Sequence, residues 1–442
     1  HDALPICELK SAIRKMENGQ IRKSAEVIKK TSKVSPLTKE VLREMERKHP
    51  RQKGYQPFGT LNPPAPILRD YTVGDMDALV MGLDNQTAGG ISGWTPALLK
   101  LCFDKPAKET AFRKYLFNLA RQMCGGNAPG KQLLCTSRLT PLQDTTGKIR
   151  PVAVGELFYR VAARFILKQV PQGDALLPLQ LGVGSPGGVE PIVELLQGEV
   201  EAANTVPRYV YTLDFSNAFN AVSRKVLADT VYEFAPKYFR LARWAYGEPT
   251  TLVMCGQDGQ LATLASQEGG RQGDPLFPFL FSVALRPKLE CLMREVANAP
   301  TDQVVSYLDD VFVFSDNPDL MRGIQNLFAA PPRGQHDDGL RLNLTKTTTK
   351  DFMMVASGGL GIKALGSMVG SREERRAFLR AKVDDLGADL GRLRQLPKQH
   401  ALLLLRACFA PRLTHLLRTM DTGDLEDELD RLDKLIRDMM DH

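Results

Sequence analysis

The chain has 442 residues, 43% hydrophobic and 25% charged, with a net charge of +7. This is the balance of a globular protein, and the chain is too long for one small core, so two or three subdomains are expected. No run of about 18 apolar residues occurs; the most apolar stretch, Pro275–Leu285, is short and holds two prolines, so no membrane-spanning helix is predicted. The seven cysteines are odd in number and lack the short spacings of a zinc site. They are expected to be reduced thiols of an intracellular protein. The chain opens on His1, without Met or an apolar leader, so a fragment or a processed product is expected.

Residues 1–60 hold 14 Lys and Arg against 7 Asp and Glu, and the remainder balances at 44 of each. The excess charge therefore sits in the N-terminal segment. It fits either a phosphate-binding extension or the solvated face of helices such as Ile21–Lys30. Ile13, Met16, Ile21, Ala25 and Ile28 recur at helical spacing, and Gly54–Pro66 reads as a linker. Helices are predicted over Val73–Met81, behind Thr72, and over Pro96–Cys102. A strand, a turn at Asp144–Lys148 and an amphipathic helix over Glu156–Val170 follow. Strands, helices and tight turns mix from 205 to 370, and from Glu373 the pattern is helical. In the acidic last segment Leu425, Leu429, Leu432, Leu435, Ile436 and Met439 share one face, read as a packing face rather than a partner site.

Two acidic sites carry chemistry. In Val304–Phe314 (VVSYLDDVFVF) apolar, β-branched and aromatic arms flank Asp309 and Asp310, the pattern of a hairpin with the acidic pair at its tip. Asp-Asp is also a common turn dipeptide, but the pairs at 337–338 and 384–385 lack strand-like arms. In RYVYTLDFSNAFNAVSRKVL, Tyr209–Leu213 reads as a strand ending at Asp214, and Ser223 as the cap of a helix through Val226 and Leu227. Taken alone, Asp214 reads more readily as a turn residue. Carboxylates brought close together repel one another unless a cation compensates, and such oxygen ligands suit Mg²⁺.

Leu213–Asn220 (LDFSNAFN), Gly270–Leu285 (GRQGDPLFPFLFSVAL) and Tyr307–Asp310 (YLDD) resemble, in order, the three palm motifs of reverse transcriptases. Gly339–Thr347 (GLRLNLTKT) resembles the next palm motif, and Leu365–Gly370 (LGSMVG) the primer grip. Lys148–Glu156 (KIRPVAVGE) and Gln180–Glu190 (QLGVGSPGGVE) are similar to fingers motifs. Ala88–Leu99 (AGGISGWTPALL) resembles an extra fingers motif of non-long-terminal-repeat retrotransposons. The resemblance spans roughly residues 70–420 and implies a retrotransposon enzyme of that type or a cellular relative.

The resemblance implies an α+β right-hand polymerase fold: a basic extension and linker over 1–66, fingers over 67–205, a palm with a small antiparallel sheet over 206–370, and thumb helices over 371–442. It implies an RNA-directed DNA polymerase using Mg²⁺, with Mn²⁺ as a substitute. Asp214 and Asp309 would bind the metals and Asp310 would support them. Lys346 would stand at the leaving pyrophosphate, and Lys148 and Arg150 would reach the nucleotide phosphates. Phe215, Gln272, Gly273 and Tyr307 would line the nucleotide, with Phe219 as the aromatic gate against the 2′-hydroxyl. Leu365 and Gly366 would belong to the primer grip. A core phenylalanine and solvated lysines are the plainer readings of Phe219, Lys148 and Lys346.

Two departures stand out: Phe277 where a small residue is usual, and Gln143-Asp144 where fingers motifs often carry Lys. Gly182-x-Gly184 is read as a turn next to the template. The implied partners are an RNA template, a DNA or RNA primer and deoxynucleotides, with no membrane; the location is intracellular, and nuclear for a eukaryotic element. No Cys/His cluster of an endonuclease is visible, so neither DNA cleavage nor RNase H activity is expected. The competing readings are a viral RNA-dependent RNA polymerase, which would usually show Gly-Asp-Asp, and an RNA-binding scaffold on the same fold.

Overall fold

The helical spacing of the N-terminal segment is realised as α1 (Ile6–Glu17) and α2 (Ile21–Lys29), followed by a short strand, β1 (Ser32–Val34), and α3 (Lys39–Lys48). The structure, a computed structural model, describes residues 4–29, 32–52, 54, 56–59, 72–103, 111–203, 207–256, 259–332 and 334–441. Most of the expected linker, 60–66, lies outside the described residues. At its start Phe58 is buried and meets Phe239 edge to face at 5.4 Å.

Four helices come next: α4 (Val73–Met81), α5 (Pro96–Leu101), α6 (Ala111–Gly125) and α7 (Lys131–Cys135). The reading of the sequence here is realised closely. Thr72 and Asp75 close a capping box on α4, and Thr95 caps α5 ahead of Pro96. The hairpin β2 (Ser137–Asp144) and β3 (Ile149–Gly155) turns where expected, because the Asp144 carboxylate accepts from the Thr146 and Lys148 amides at 2.9 and 3.0 Å. Then follow α8 (Leu157–Gln169), α9 (Val189–Ala202), β4 (Tyr209–Leu213), the short α10 (Ala218–Ala221), α11 (Arg224–Phe234) and α12 (Pro236–Tyr246). The strands β5 (Thr250–Cys255) and β6 (Leu261–Ser266) join β1, β2 and β3 in a five-stranded sheet, order β1-β2-β5-β6 with β3 on the other side of β2.

The apolar run at 275–285 becomes the start of α13 (Phe277–Glu295), where Phe277, Phe279, Leu280, Phe281 and Leu285 are at most 1% exposed. A helix apolar on all sides belongs at the centre of a core, and α13 runs through the largest one, among α6, α8, α11 and α12. β7 (Gln303–Tyr307) and β8 (Asp310–Ser315) form the acidic hairpin. After α14 (Leu320–Leu327), β9 (Thr348–Asp351) completes an antiparallel four-stranded sheet, order β7-β8-β4-β9. The chain continues through α15 (Phe352–Ala356) and the small hairpin β10 (Ile362–Ala364) and β11 (Ser367–Val369). It ends in α16 (Arg372–Leu393), α17 (Lys398–Leu404), α18 (Thr414–Thr419) and α19 (Glu426–Met440).

The C-terminal helices share a core with the N-terminus: Leu4, Ala12, Met16, Ala25 and Ile28 bury with Leu379, Leu390, Leu404, Phe409, Leu432 and Met439. Leu432 and Met439 confirm the last helix's apolar stripe as a packing face. The basic segment is therefore built into the body at both of its ends. Its first two helices join the C-terminal core, while β1 and α3 join the five-stranded sheet. All seven cysteines are free thiols, and among the described residues no helix is long and apolar enough to cross a membrane.

Candidate active site

Two adjacent strands bring the acidic residues together. β4 and β8 pair antiparallel with Leu213 opposite Val311, so the next position outward sets Asp214 beside Asp310. Tyr307 pairs with Asp310, leaving Leu308 and Asp309 as a two-residue turn. Leu308 takes φ 57° and Asp309 stays outside the left-handed region, the pattern of a turn whose first position favours glycine. A leucine there costs about 1 kcal/mol, and the surroundings hold it. Leu179–Gly182 lies against β7 as an extra edge, with the Leu181 amide donating to Ser306 O at 2.8 Å and Ser306 N to Leu179 O at 2.9 Å. A Cβ on Gly182 would stand 2.5 Å from Leu308 N, so the tip can sit where it does only against a glycine. Gly182, read from the sequence as a turn next to the template, is thus the seat of the acidic tip.

The other Asp-Asp pairs have ordinary roles. Asp337 and Asp338 ion-pair with Arg341, and Asp384 and Asp385 lie within α16. At the site, Asp214 and Asp309 are half-buried and Asp310 is exposed. Desolvation and then the Asp214 charge raise the Asp309 pKa. Desolvation, then Asp309 and Asp214, push Asp310 up to about 6, against the opposing pull of Lys346. Crowded, partly desolvated carboxylates hold protons because burial and each other's charge oppose ionisation. Among the described residues no three acidic, histidine or cysteine side chains converge tightly enough to cage a metal ion as they stand.

Lys346 stands 3.5 Å from Asp214 Oδ2. Its loop is docked on the strand end: Asn343 N donates to Asp214 O at 2.7 Å, and Asp214 N donates to Thr347 Oγ1 at 3.3 Å. Lys148 and Arg150 are exposed on the β2–β3 hairpin. Desolvation, then the charges of Lys346, Arg150 and Lys48, lower the Lys148 pKa. Cations from three separate segments therefore gather around Lys148, and one of them, Lys346, reaches Asp214, an arrangement that a polyphosphate would relieve.

Phe219 is half-buried, stacked on Phe281 with ring centroids 4.7 Å apart and tilted against Phe277 at 5.6 Å. Phe277, the unusual residue of its motif, is accommodated because Gly270 has no side chain; a Cβ there would lie 2.0 Å from the Phe277 ring. Gln272 is exposed and its carbonyl accepts from Ala153 N at 2.8 Å. At Gly273 (φ 123°) a Cβ would lie 2.5 Å from Ala153 O, so the close backbone approach that this glycine permits is to β3.

Phe215 differs from expectation. Its ring is buried, 5.1 Å from Phe328 and edge to face with it, because the bridge to Leu342 turns it into the core. Its side chain packs instead of lining the open site. Tyr307 and Leu365 are both partly buried against the same cluster, so the hairpin and the β10–β11 turn share a base. In that turn Leu365 and Gly366 take φ 48° and 87°, and Leu365 O lies 3.0 Å from His415 Nε2.

Sequence reasoning passed over a buried ionic network behind the site. Arg271 pairs with Asp274 at 3.1 Å, donates to Cys135 O at 2.6 Å and lies over the rings of Tyr159 and Tyr246. Both tyrosine hydroxyls donate to Asp274. Arg224, fully buried, donates to Gly269 O, Tyr246 O, Glu248 O and Ser266 Oγ. The clue to the first was an Arg and an Asp three residues apart at the mouth of a strongly apolar helix.

The fold and the site together set paired carboxylates on adjacent antiparallel strands. The chain belongs to the reverse transcriptase (RNA-dependent DNA polymerase) family, whose model matches residues 140–369. It is 27% identical over 377 residues to the retrotransposable element SLACS 132 kDa protein of Trypanosoma brucei gambiense, covering 81% of this chain and 30% of that protein. It is 25% identical over 230 residues to the Pol polyprotein of the type-1 retrotransposable element R2 of Popillia japonica, covering 48% of this chain and 30% of that one. The chain thus spans under a third of the length of either retrotransposon protein. Among solved structures it is similar to apo telomerase from Candida tropicalis, with a TM-score of 0.42 and 10% identity, over 71% of this chain and 63% of that one.

Proposed function

We propose that this chain is an RNA-directed DNA polymerase of a non-long-terminal-repeat retrotransposon, extending a primer 3′-hydroxyl with deoxynucleotides on an RNA template. The observation that carries this reading is the β4–β8 register, with Asp214 beside Asp309 and Asp310, together with Lys346, which pairs with Asp214 and lies against Lys148. The donor set fits a hard divalent cation. All three groups are carboxylates brought together at the ends of β4 and β8, the hard oxygen ligands such an ion prefers. Asp214, Asp309 and Asp310 would hold Mg²⁺, or Mn²⁺ in its place, and that ion supplies activation of the 3′-hydroxyl and stabilisation of the leaving pyrophosphate.

The remaining roles fall to the chain's own side chains. Lys148 and Arg150 bind the triphosphate, Arg150 through its planar fork. Lys346 balances the Asp214 charge and is placed to protonate the departing pyrophosphate. Phe219, backed by Phe281, excludes the ribonucleotide 2′-hydroxyl. Gln272 and Gly273, next to β3, and Tyr307 line the nucleotide, and Leu365 and Gly366 support the primer end. On this reading residues 67–205 are mostly fingers, 206–370 palm and 371–442 thumb, and template and primer are gripped through their phosphates. For a eukaryotic element the place of action is the nucleus.

Primer extension on an RNA template with Mg²⁺ tests the reading. The Asp309→Ala/Asp310→Ala double variant should lose at least about a thousandfold in rate while keeping its melting temperature. No extension by folded, RNA-binding wild type, with Mn²⁺ as well, would instead make the chain a scaffold.

A further inference from the structure

The family match begins at residue 140, and α3 lies well before it. Yet α3 contributes to the wall of the site. Val41 and Met45 bury against Leu139 and Ala153 of the β2–β3 hairpin and Leu252 and Met254 of β5. Thr38 caps the helix, and Arg47 and Lys48 occupy its last turn, where cations suit the helix dipole.

Lys48 reaches two ways from that end. Its ammonium donates to the carbonyl of Ile149, the residue between Lys148 and Arg150, and pairs with Glu44 at 3.3 Å. Its own carbonyl accepts from Asn217 Nδ2 at 2.8 Å. Asn217 lies three residues after Asp214, at φ 56° in the turn leading to Phe219. The Lys48 side chain is only 17% exposed, so this is a seated residue and not a waving surface lysine. One residue from outside the family match therefore touches both the hairpin that carries the cations and the turn that follows the aspartate.

We propose that Lys48 and Asn217 form a latch that sets the gap between Lys148–Arg150 and Asp214, making both of them positioning residues for the incoming nucleotide's triphosphate. The functional part of this inference rests on the polymerase reading. The latch ties an exposed hairpin to the turn that follows β4, a strand paired on both sides. A hydrogen bond there adds little to global stability but sets the separation of two groups that must engage one nucleotide.

The test uses the full chain with Lys48→Met, which keeps the apolar stem, Asn217→Gly, which keeps the left-handed backbone, and the double variant. Amide hydrogen exchange at Asp144 and Lys148, both bonded within the hairpin turn, reads the latch without needing activity. Exchange there should accelerate about fivefold in each single variant, the scale of one lost hydrogen bond. In primer extension the deoxynucleotide KM should rise about fivefold, with kcat and primer–template affinity nearly unchanged. The double variant should be no worse than either single one, because both break one device. Lys48→Arg, still a donor, should restore the KM.

Unchanged exchange and KM in both single variants, or fully additive losses in the double variant, overturn the latch. Should Lys48→Met lower the melting temperature, Asn217→Gly on its exposed turn decides the matter. A wild type that extends no primer overturns the polymerase reading alone, since exchange still decides the latch.

Discussion

The two poles of the site are built differently. The acidic pole stands on β4 and β8, central strands of a sheet paired on both sides, and its turn is clamped by Gly182 against Leu308. Lys148 and Arg150 of the cationic pole stand on an exposed hairpin, held to the acidic pole's side by Lys48, Asn217 and the Ala153–Gln272 bond. A rigid pole suits the groups that must hold reacting atoms in register. A lightly tethered one suits groups that must admit a charged substrate and release another.

The contrast can be broken most severely at the clamp. Gly182→Ala puts a methyl into the Leu308 backbone, so it should lower kcat about a hundredfold and the melting temperature by several degrees. A variant with normal kcat would show that the tip tolerates displacement. At the other pole, Lys148→Ala or Arg150→Ala should raise the deoxynucleotide KM about tenfold with little change in melting temperature, the value of one charge-assisted contact. A loss confined to kcat would remove both from phosphate binding.

Phe219→Val probes the surface between the poles. Ribonucleotide incorporation relative to deoxynucleotide should rise about tenfold, and single-nucleotide kinetics with matched dNTP and NTP check it. Unchanged sugar selectivity would leave Phe219 as core packing on Phe281.

The smallest effect concerns protons. Folded protein holds the Asp310 proton to about pH 6, whereas an unfolded aspartate releases it near 3.8. Ionised Asp310 therefore costs stability that is absent below the lower value and grows as pH rises through the window. Metal-free Asp310→Asn should melt about 1 °C higher at neutral pH and match wild type below about pH 4, the gain being small because the tip is exposed to solvent. A gain that persists in acid would mean the amide acts through a new contact.

The sequence by itself determined the local elements. Apolar, β-branched and aromatic arms around Asp309 and Asp310 encode a hairpin, Thr72 and Ser223 encode helix starts, and the apolar run after Pro275 encodes a buried helix. In each case the information is a dihedral preference or a periodicity carried by neighbouring residues. The strand ends that carry the three aspartates were legible for the same reason, while any role for Asp214 came only with the family resemblance.

Only the tertiary structure decided what touches across long stretches of chain. Gly182 beneath Leu308, Gly270 making room for Phe277, Arg271 and Asp274 among two tyrosines, and Phe215 turned inward all depend on which surfaces dock. So does the division of the basic N-terminus between the C-terminal core and the β2–β3 hairpin. A residue's local pattern records its own backbone and its preference for burial. The identity of the partner depends on the packing of elements far away in sequence, and no local pattern encodes that.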